Sequence, residues 1–129
     1  MREKRYELVG RPAAWQRTGV KFATRKLYDS QKQQKLLIGL TVKQQHNDEP
    51  PFYGPVTVDI YFYFERPKTK KHHPIYYDRK PDFDNLAKLY CDVLSDCAVW
   101  GDDCQVVDCR VRKLWGDEPG TIIIVKEVR

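Results

Sequence analysis

The sequence predicts one α+β domain built on a mainly antiparallel four-stranded sheet with two helices. Three observations lead there. Residues 56–64 alternate Val56, Val58, Ile60, Phe62 and Phe64 with Thr57, Asp59, Tyr61 and Tyr63, the period-two pattern of a strand. From residue 84 onward, Leu86, Leu89, Tyr90, Val93, Leu94 and Cys97 recur at intervals of three and four, the pattern of an amphipathic helix. The segments follow one another as strand, helix, strand, helix, strand, strand, without the regular alternation of a parallel α/β sheet. A length of 129 residues suits one such domain with a core large enough to fold unaided, and no linker or internal repeat divides it.

In chain order, Tyr6 and Leu8 mark a first strand, stopped by Gly10-Arg11-Pro12. The next stretch interleaves Trp15, Phe22 and Tyr28 with Arg17, Lys21, Arg25 and Lys26, a composition suited to contacting phosphates and stacking on bases. As an ordinary loop it would instead pack its aromatics on the core, which is the simpler reading for Phe22. Asp29-Ser30 would cap a helix running through Gln33, Leu37, Leu40 and Gln44 and ending before Asn47 to Pro51. Its apolar stripe is thin, and Lys32, Lys35 and Lys43 read as solvated. The strand at 56–64 should lie centrally in the sheet.

Arg66 to Pro74 is too polar and interrupted for core and reads as a mobile basic loop, in which Lys68, Lys70 and Lys71 would neutralise phosphates. A bare charge run usually means only solubility, but this one lies directly upstream of an acidic segment, which favours DNA contact. His72 and His73 could handle protons, though no motif requires it. Val99-Trp100 leads to Asp102-Asp103, after which Val107, Cys109 and Val111 alternate with Asp108, Arg110 and Arg112 as a strand. Trp115 to Gly120 supplies a turn and Thr121 to Val128 a returning strand, so that the last two strands are expected to form a hairpin.

Lys and Arg number 23 against 18 acidic residues, a formal charge of +5, and because several acids cluster in one region the remaining surface is more basic than the total. Such a surface favours polyanions. No stretch has the length and apolarity of a transmembrane helix, and Met1 to Arg5 leads into no signal-peptide core, so a cytoplasmic protein with no membrane partner is expected. Cys91, Cys97, Cys104 and Cys109 lack Cys-x-x-Cys spacing and are expected to be free, buried structural thiols. A zinc site made from them with His72 and His73 lacks the usual ligand spacing.

Chemistry concentrates in Lys80-Pro81-Asp82-Phe83-Asp84-Asn85-Leu86 and the later Asp102-Asp103. In an extended segment Asp82 and Asp84 would point the same way while Phe83 faces the interior. Two such carboxylates repel unless a cation sits between them, and oxygen ligands suit a hard divalent ion. Asp84, Lys88 and Asp92 stack along the polar face of the following helix, which projects Lys88 toward the carboxylates. The bland alternative makes Asp82 or Asp84 an N-cap and pairs Lys88 with Asp92 on a solvated surface.

The segment from Lys80 to Val111, with its Pro-Asp-x-Asp-Asn-Leu-x-Lys run followed by an aromatic residue, Asp-Asp and Gln-Val, resembles the RusA family of Holliday-junction resolvases. Weaker similarity covers most of the rest, although the family's second Pro-Arg near the N-terminus is replaced here by Arg17-Thr18. The resemblance implies a RusA-like fold and a crossover-junction endodeoxyribonuclease that resolves four-way junctions by paired symmetric nicks in recombination and repair. It implies Mg²⁺, with Mn²⁺ able to substitute, held by Asp82, Asp84 and Asp103, with Asp102 a further possible ligand. Lys88 would offset transition-state charge, and Arg17, Lys68, Lys70, Lys71 and Lys80 would contact branched DNA. A homodimer matched to the junction's two-fold pseudosymmetry is implied too, and members are often encoded by phages or prophages. The competing readings are a non-catalytic nucleic-acid-binding protein and a nuclease of the same chemistry acting on forks or flaps.

Overall fold

The computed structural model describes residues 1–14, 24–68 and 74–128, with backbone alone for 24–30. Its elements are β1 (Glu3–Val9), α1 (Thr24–His46), β2 (Val56–Glu65), α2 (Phe83–Asp96), a single 3₁₀ turn (Asp103–Gln105), β3 (Val106–Gly116) and β4 (Gly120–Glu127). The α+β class, two long helices and four-stranded sheet match the expectation. The sheet runs β1-β4-β2-β3, with β4 antiparallel to both β1 and β2, and β2 parallel to β3.

That order overturns the expected C-terminal hairpin, because β2 lies between β3 and β4. Burial explains the insertion. Val56, Val58, Ile60, Phe62 and Phe64 of β2 are all at most 1 % exposed, each such side chain contributing about 1.5–3 kcal/mol by leaving water. The register sets Ile60 opposite Ile123 and Val58 opposite Val125, both buried residues of β4. β3, mostly half-exposed or exposed, takes the seat beyond β2. The residues between β3 and β4 pass over the end of β2, where a Cβ on Gly116 would come within 3.1 Å of the Tyr63 ring.

Both helices contribute to the core. α2 buries Leu86, Leu89, Tyr90, Val93 and Leu94 as its periodicity predicts, and Tyr90 meets Phe62 edge to face at 5.1 Å. α1 begins at Thr24, ahead of the expected Asp29-Ser30 cap, since an interior Asp and Ser each cost only a few tenths of a kcal/mol beside good helix formers such as Lys26 and Leu27. It packs through Val42 and His46, leaving Leu36, Leu37 and Leu40 exposed, so the anticipated Leu37–Leu40 stripe is not the buried one. The four thiols are free, but only Cys97 is buried and Cys91 half-buried; Cys104 on the 3₁₀ turn and Cys109 on β3 are exposed, contrary to the expectation of buried cysteines.

Among the described residues no helix is long and apolar enough to cross a membrane. A short extended piece, Ile75 to Tyr77, bonds along β3: Tyr77 N–H donates to the Lys113 carbonyl at 2.8 Å and Trp115 N–H to the Ile75 carbonyl at 3.0 Å. This pairing delivers the Lys80–Asp84 segment to the edge of the sheet.

Candidate metal and nucleic-acid site

Asp82 is the last extended residue before α2, with φ −71° and ψ 149°, and the helix begins when Leu86 N–H bonds the Asp82 carbonyl at 3.2 Å. The alternation assumed for Asp82, Phe83 and Asp84 therefore stops at Asp82. Phe83 is 63 % exposed instead of facing the interior, because helical geometry begins at that residue.

Asp82 holds the N-cap position, yet its side chain makes no capping hydrogen bond. Its carboxylate instead accepts from Lys80 Nζ at 2.8 Å, and this bond holds Asp82 below the usual carboxylate range while raising Lys80. Asp84, exposed in the first helical turn, accepts from Asn85 N–H at 2.9 Å. Lys88 is exposed one turn further on. Asp92, its partner in the bland reading, is engaged by Lys35 of α1 at 3.7 Å.

The backbone beneath this segment is held by an aromatic column that local patterning did not reveal. Tyr77 stacks on Phe64 with centroids 3.9 Å apart, meets Trp115 edge-on at 4.7 Å, and donates its hydroxyl to the Lys80 carbonyl at 2.6 Å. Lys113 of β3 lies over the Tyr77 ring at 5.3 Å and donates to the Arg79 carbonyl at 2.5 Å. Burial lowers its pKa, and the nearby Asp82 carboxylate opposes that shift. Tyr77 and Lys113 thus belong to the site, and only the parallel pairing of β2 with β3 brings them there.

The neighbours Asp102 and Asp103 have different partners. Asp102 caps the 3₁₀ turn, accepting from Cys104 N–H at 2.9 Å, and that bond lowers its pKa. Asp103 accepts from the indole N–H of Trp100, itself 1 % exposed, at 2.8 Å. Gln105 closes the turn: its Oε1 accepts from Gly101 and Asp102 N–H at 2.8 and 3.1 Å, and its Nε2 donates to the Phe52 and Gly54 carbonyls at 3.0 and 2.9 Å. Every hydrogen-bonding position of that amide is used on backbone.

The 3₁₀ turn contacts α2, so Asp82, Asp84 and Asp103 stand on neighbouring elements. Among the described residues, however, no three His, Cys, Asp or Glu side chains are gathered closely enough to hold a metal ion. The donor chemistry suits a hard divalent cation: the three are exposed carboxylates, Asp103 is oriented by a buried indole, and Asp82 already accepts a cation in Lys80. Lys68 is exposed. Trp15, Arg17, Phe22, Lys70, Lys71, His72 and His73 lie outside the described residues, as do the side chains of Arg25, Lys26 and Tyr28.

Comparison with known proteins gives a family match and a curated relative. The family model described as Endodeoxyribonuclease RusA matches residues 10–126. The uncharacterized protein YqaN of Bacillus subtilis (strain 168) is 32 % identical over 97 residues, covering 67 % of this chain and 68 % of that protein.

Proposed function

Because the chain belongs to the RusA family of endodeoxyribonucleases, which act on DNA junctions, we propose that it is a Mg²⁺-dependent resolvase of four-way junctions serving recombination and repair in the cytoplasm. The observation that supports this most is the unequal use of its acidic residues. Asp102 is occupied as a cap, whereas Asp103 is oriented by Trp100, and Asp82 sits at a helix N-cap without capping.

In this reading Asp82, Asp84 and Asp103 would hold one or two Mg²⁺ ions. When bound, the metal supplies a nucleophilic water at neutral pH and neutralises charge on the scissile phosphate. The chain's own residues do the rest. Trp100 keeps the Asp103 carboxylate in one orientation, and Tyr77 holds the backbone on which Lys80 and Asp82 sit. Lys88, on the exposed face one turn after Asp84, offsets charge that builds on the phosphate during displacement. Lys68, Lys70, Lys71, Lys80 and Arg17 contact the backbone of the branched substrate and set its affinity.

A two-fold homodimer would present two such sites to the two strands that must be nicked. The deciding experiment incubates the protein with a labelled mobile four-way junction and a matched linear duplex, with Mg²⁺ or with EDTA. Paired, ligatable nicks in the junction alone, lost in EDTA, are expected. Equal cutting of linear duplex would refute the junction selectivity, preferential cutting of fork or flap controls would reassign the substrate, and cutting that survives EDTA would refute the metal.

A further inference from the structure

We propose that the cavity between the Arg11–Ala14 segment and Lys80–Pro81 is a subsite for a non-scissile phosphate of the DNA backbone, with Lys80 shared between that subsite and Asp82. The proposal rests on the nuclease reading above and adds a second point of grip to it.

The cavity has a volume of about 410 Å³ and is lined by Arg11, Pro12, Ala13, Ala14, Gln34, Lys80 and Pro81. Among the described residues that lining offers two cations and one amide and no carboxylate, which selects an anion. Both cations are placed by the same aromatic column. The Arg11 guanidinium lies over the Phe64 ring, 5.4 Å from its centroid, a cation–π seat that fixes its charge beside the cavity. Phe64 stacks on Tyr77, whose hydroxyl holds the Lys80 carbonyl. On the Ala13 side, the backbone N–H bonds the Tyr90 hydroxyl at 3.1 Å, which ties that wall to α2.

Lys80 supplies the coupling. Its ammonium rests on Asp82 at 2.8 Å, and the two side chains are 84 % and 49 % exposed. Exposed pairs of this kind are weak and exchange readily. A divalent ion held by Asp82 would take the place of the lysine, and the released ammonium would then be available at the rim of the cavity with Arg11. Loading of the carboxylates and grip on the backbone therefore reinforce each other, and linkage makes the effect reciprocal.

The test measures binding of a fluorescent four-way junction by anisotropy across a salt series, in EDTA and in Ca²⁺, beside a Mn²⁺ titration without DNA. Arg11→Gln is expected to flatten the log K against log salt slope by about one unit, and Arg11→Lys to keep it. Lys80→Gln is expected to flatten the slope in Ca²⁺ and not in EDTA, and to tighten Mn²⁺ binding by roughly twofold to fivefold through loss of the competing ammonium. An unchanged slope for Arg11→Gln overturns the subsite. Equal loss for Lys80→Gln in both media, or unchanged Mn²⁺ affinity, overturns the sharing. Inorganic phosphate should displace the junction no better than chloride of equal ionic strength; stoichiometric displacement would reassign the cavity to a small free anion. Wild-type protein that neither binds nor nicks the junction would instead refute the nuclease reading.

Discussion

Replacing Gln105 by Leu should loosen the Asp102–Asp103 turn more than any other single change outside the carboxylates themselves. The substitution keeps most of the volume and removes four hydrogen bonds, two accepted and two donated, all to backbone groups between 2.8 and 3.1 Å away. Each such bond contributes about 0.5–1.5 kcal/mol net, so the four together contribute about 2–6 kcal/mol. Gly54, Gly101 and Asp102 are exposed, so their groups are not left unsatisfied and the loss falls in the lower half of that range, about 2–4 kcal/mol. For a domain of this size the melting temperature should fall by roughly 8–16 °C. Below that temperature, single-turnover nicking of a labelled junction should drop by about tenfold or more, because the backbone carrying Asp103 is no longer tied to the Phe52–Gly54 segment. Melting within about 3 °C of wild type would refute the reasoning, since the four bonds would then contribute nothing net.

Four further outcomes are expected. Asp103→Asn should abolish nicking while Asp102→Asn mainly lowers the melting temperature, and Trp100→Phe should reduce nicking by about 10–100-fold through the lost indole bond; the reverse ranking of the two Asn variants would reassign the metal role. Lys88→Ala should slow single-turnover scission far more than it weakens junction binding, and a loss confined to affinity would make Lys88 a backbone contact. Changing Lys68, Lys70 and Lys71 together to Gln should weaken binding and flatten its salt dependence by about one unit per lost phosphate contact, with little change in scission at saturating protein. In alkali the fold should weaken: burial raises the Tyr6 and Tyr90 hydroxyls above their unfolded value of 10.0, so stability is full below that pH and falls as pH rises above it. Tyr6→Phe should make that decline shallower in urea titrations at pH 9 to 11, and an identical slope would exclude Tyr6 as its source.

Legibility followed the reach of each interaction. β2 and α2 could be read because their periodicity and their burial coincide along a single element, as Phe62 and Tyr90 illustrate. The central seat of β2 followed from its apolar face, but the placing of β4 on one side and β3 on the other did not, since pairing between distant strands leaves no local pattern. Phe83 was misread because extended geometry ends one residue before it, a switch that alternation rules cannot locate. Within the candidate site, Asp82, Asp84, Lys88 and Asp103 were visible as motif residues. What surrounds them was not: the indole of Trp100 on Asp103, the four backbone bonds of Gln105, and Tyr77 with Lys113 beneath Lys80 all depend on chain segments brought together only by folding.

The pairing of Glu3 with Lys126 has a consequence for synthesis. β1 leaves the ribosome well ahead of its ladder partner β4, with α1, β2, α2 and β3 between them. Until β4 emerges, β1 has no strand to pair with and β2 lacks the strand that completes its central position, so the sheet closes late and through contacts of very long sequence separation. A nascent or prematurely terminated chain broken at the Asp117–Pro119 turn would already contain Asp82, Asp84, Lys88 and Asp103, but it would lack Ile123 and Val125 of the core. Burial of the β2 face against Ile123 and Val125 is thereby withheld until translation has run through β4.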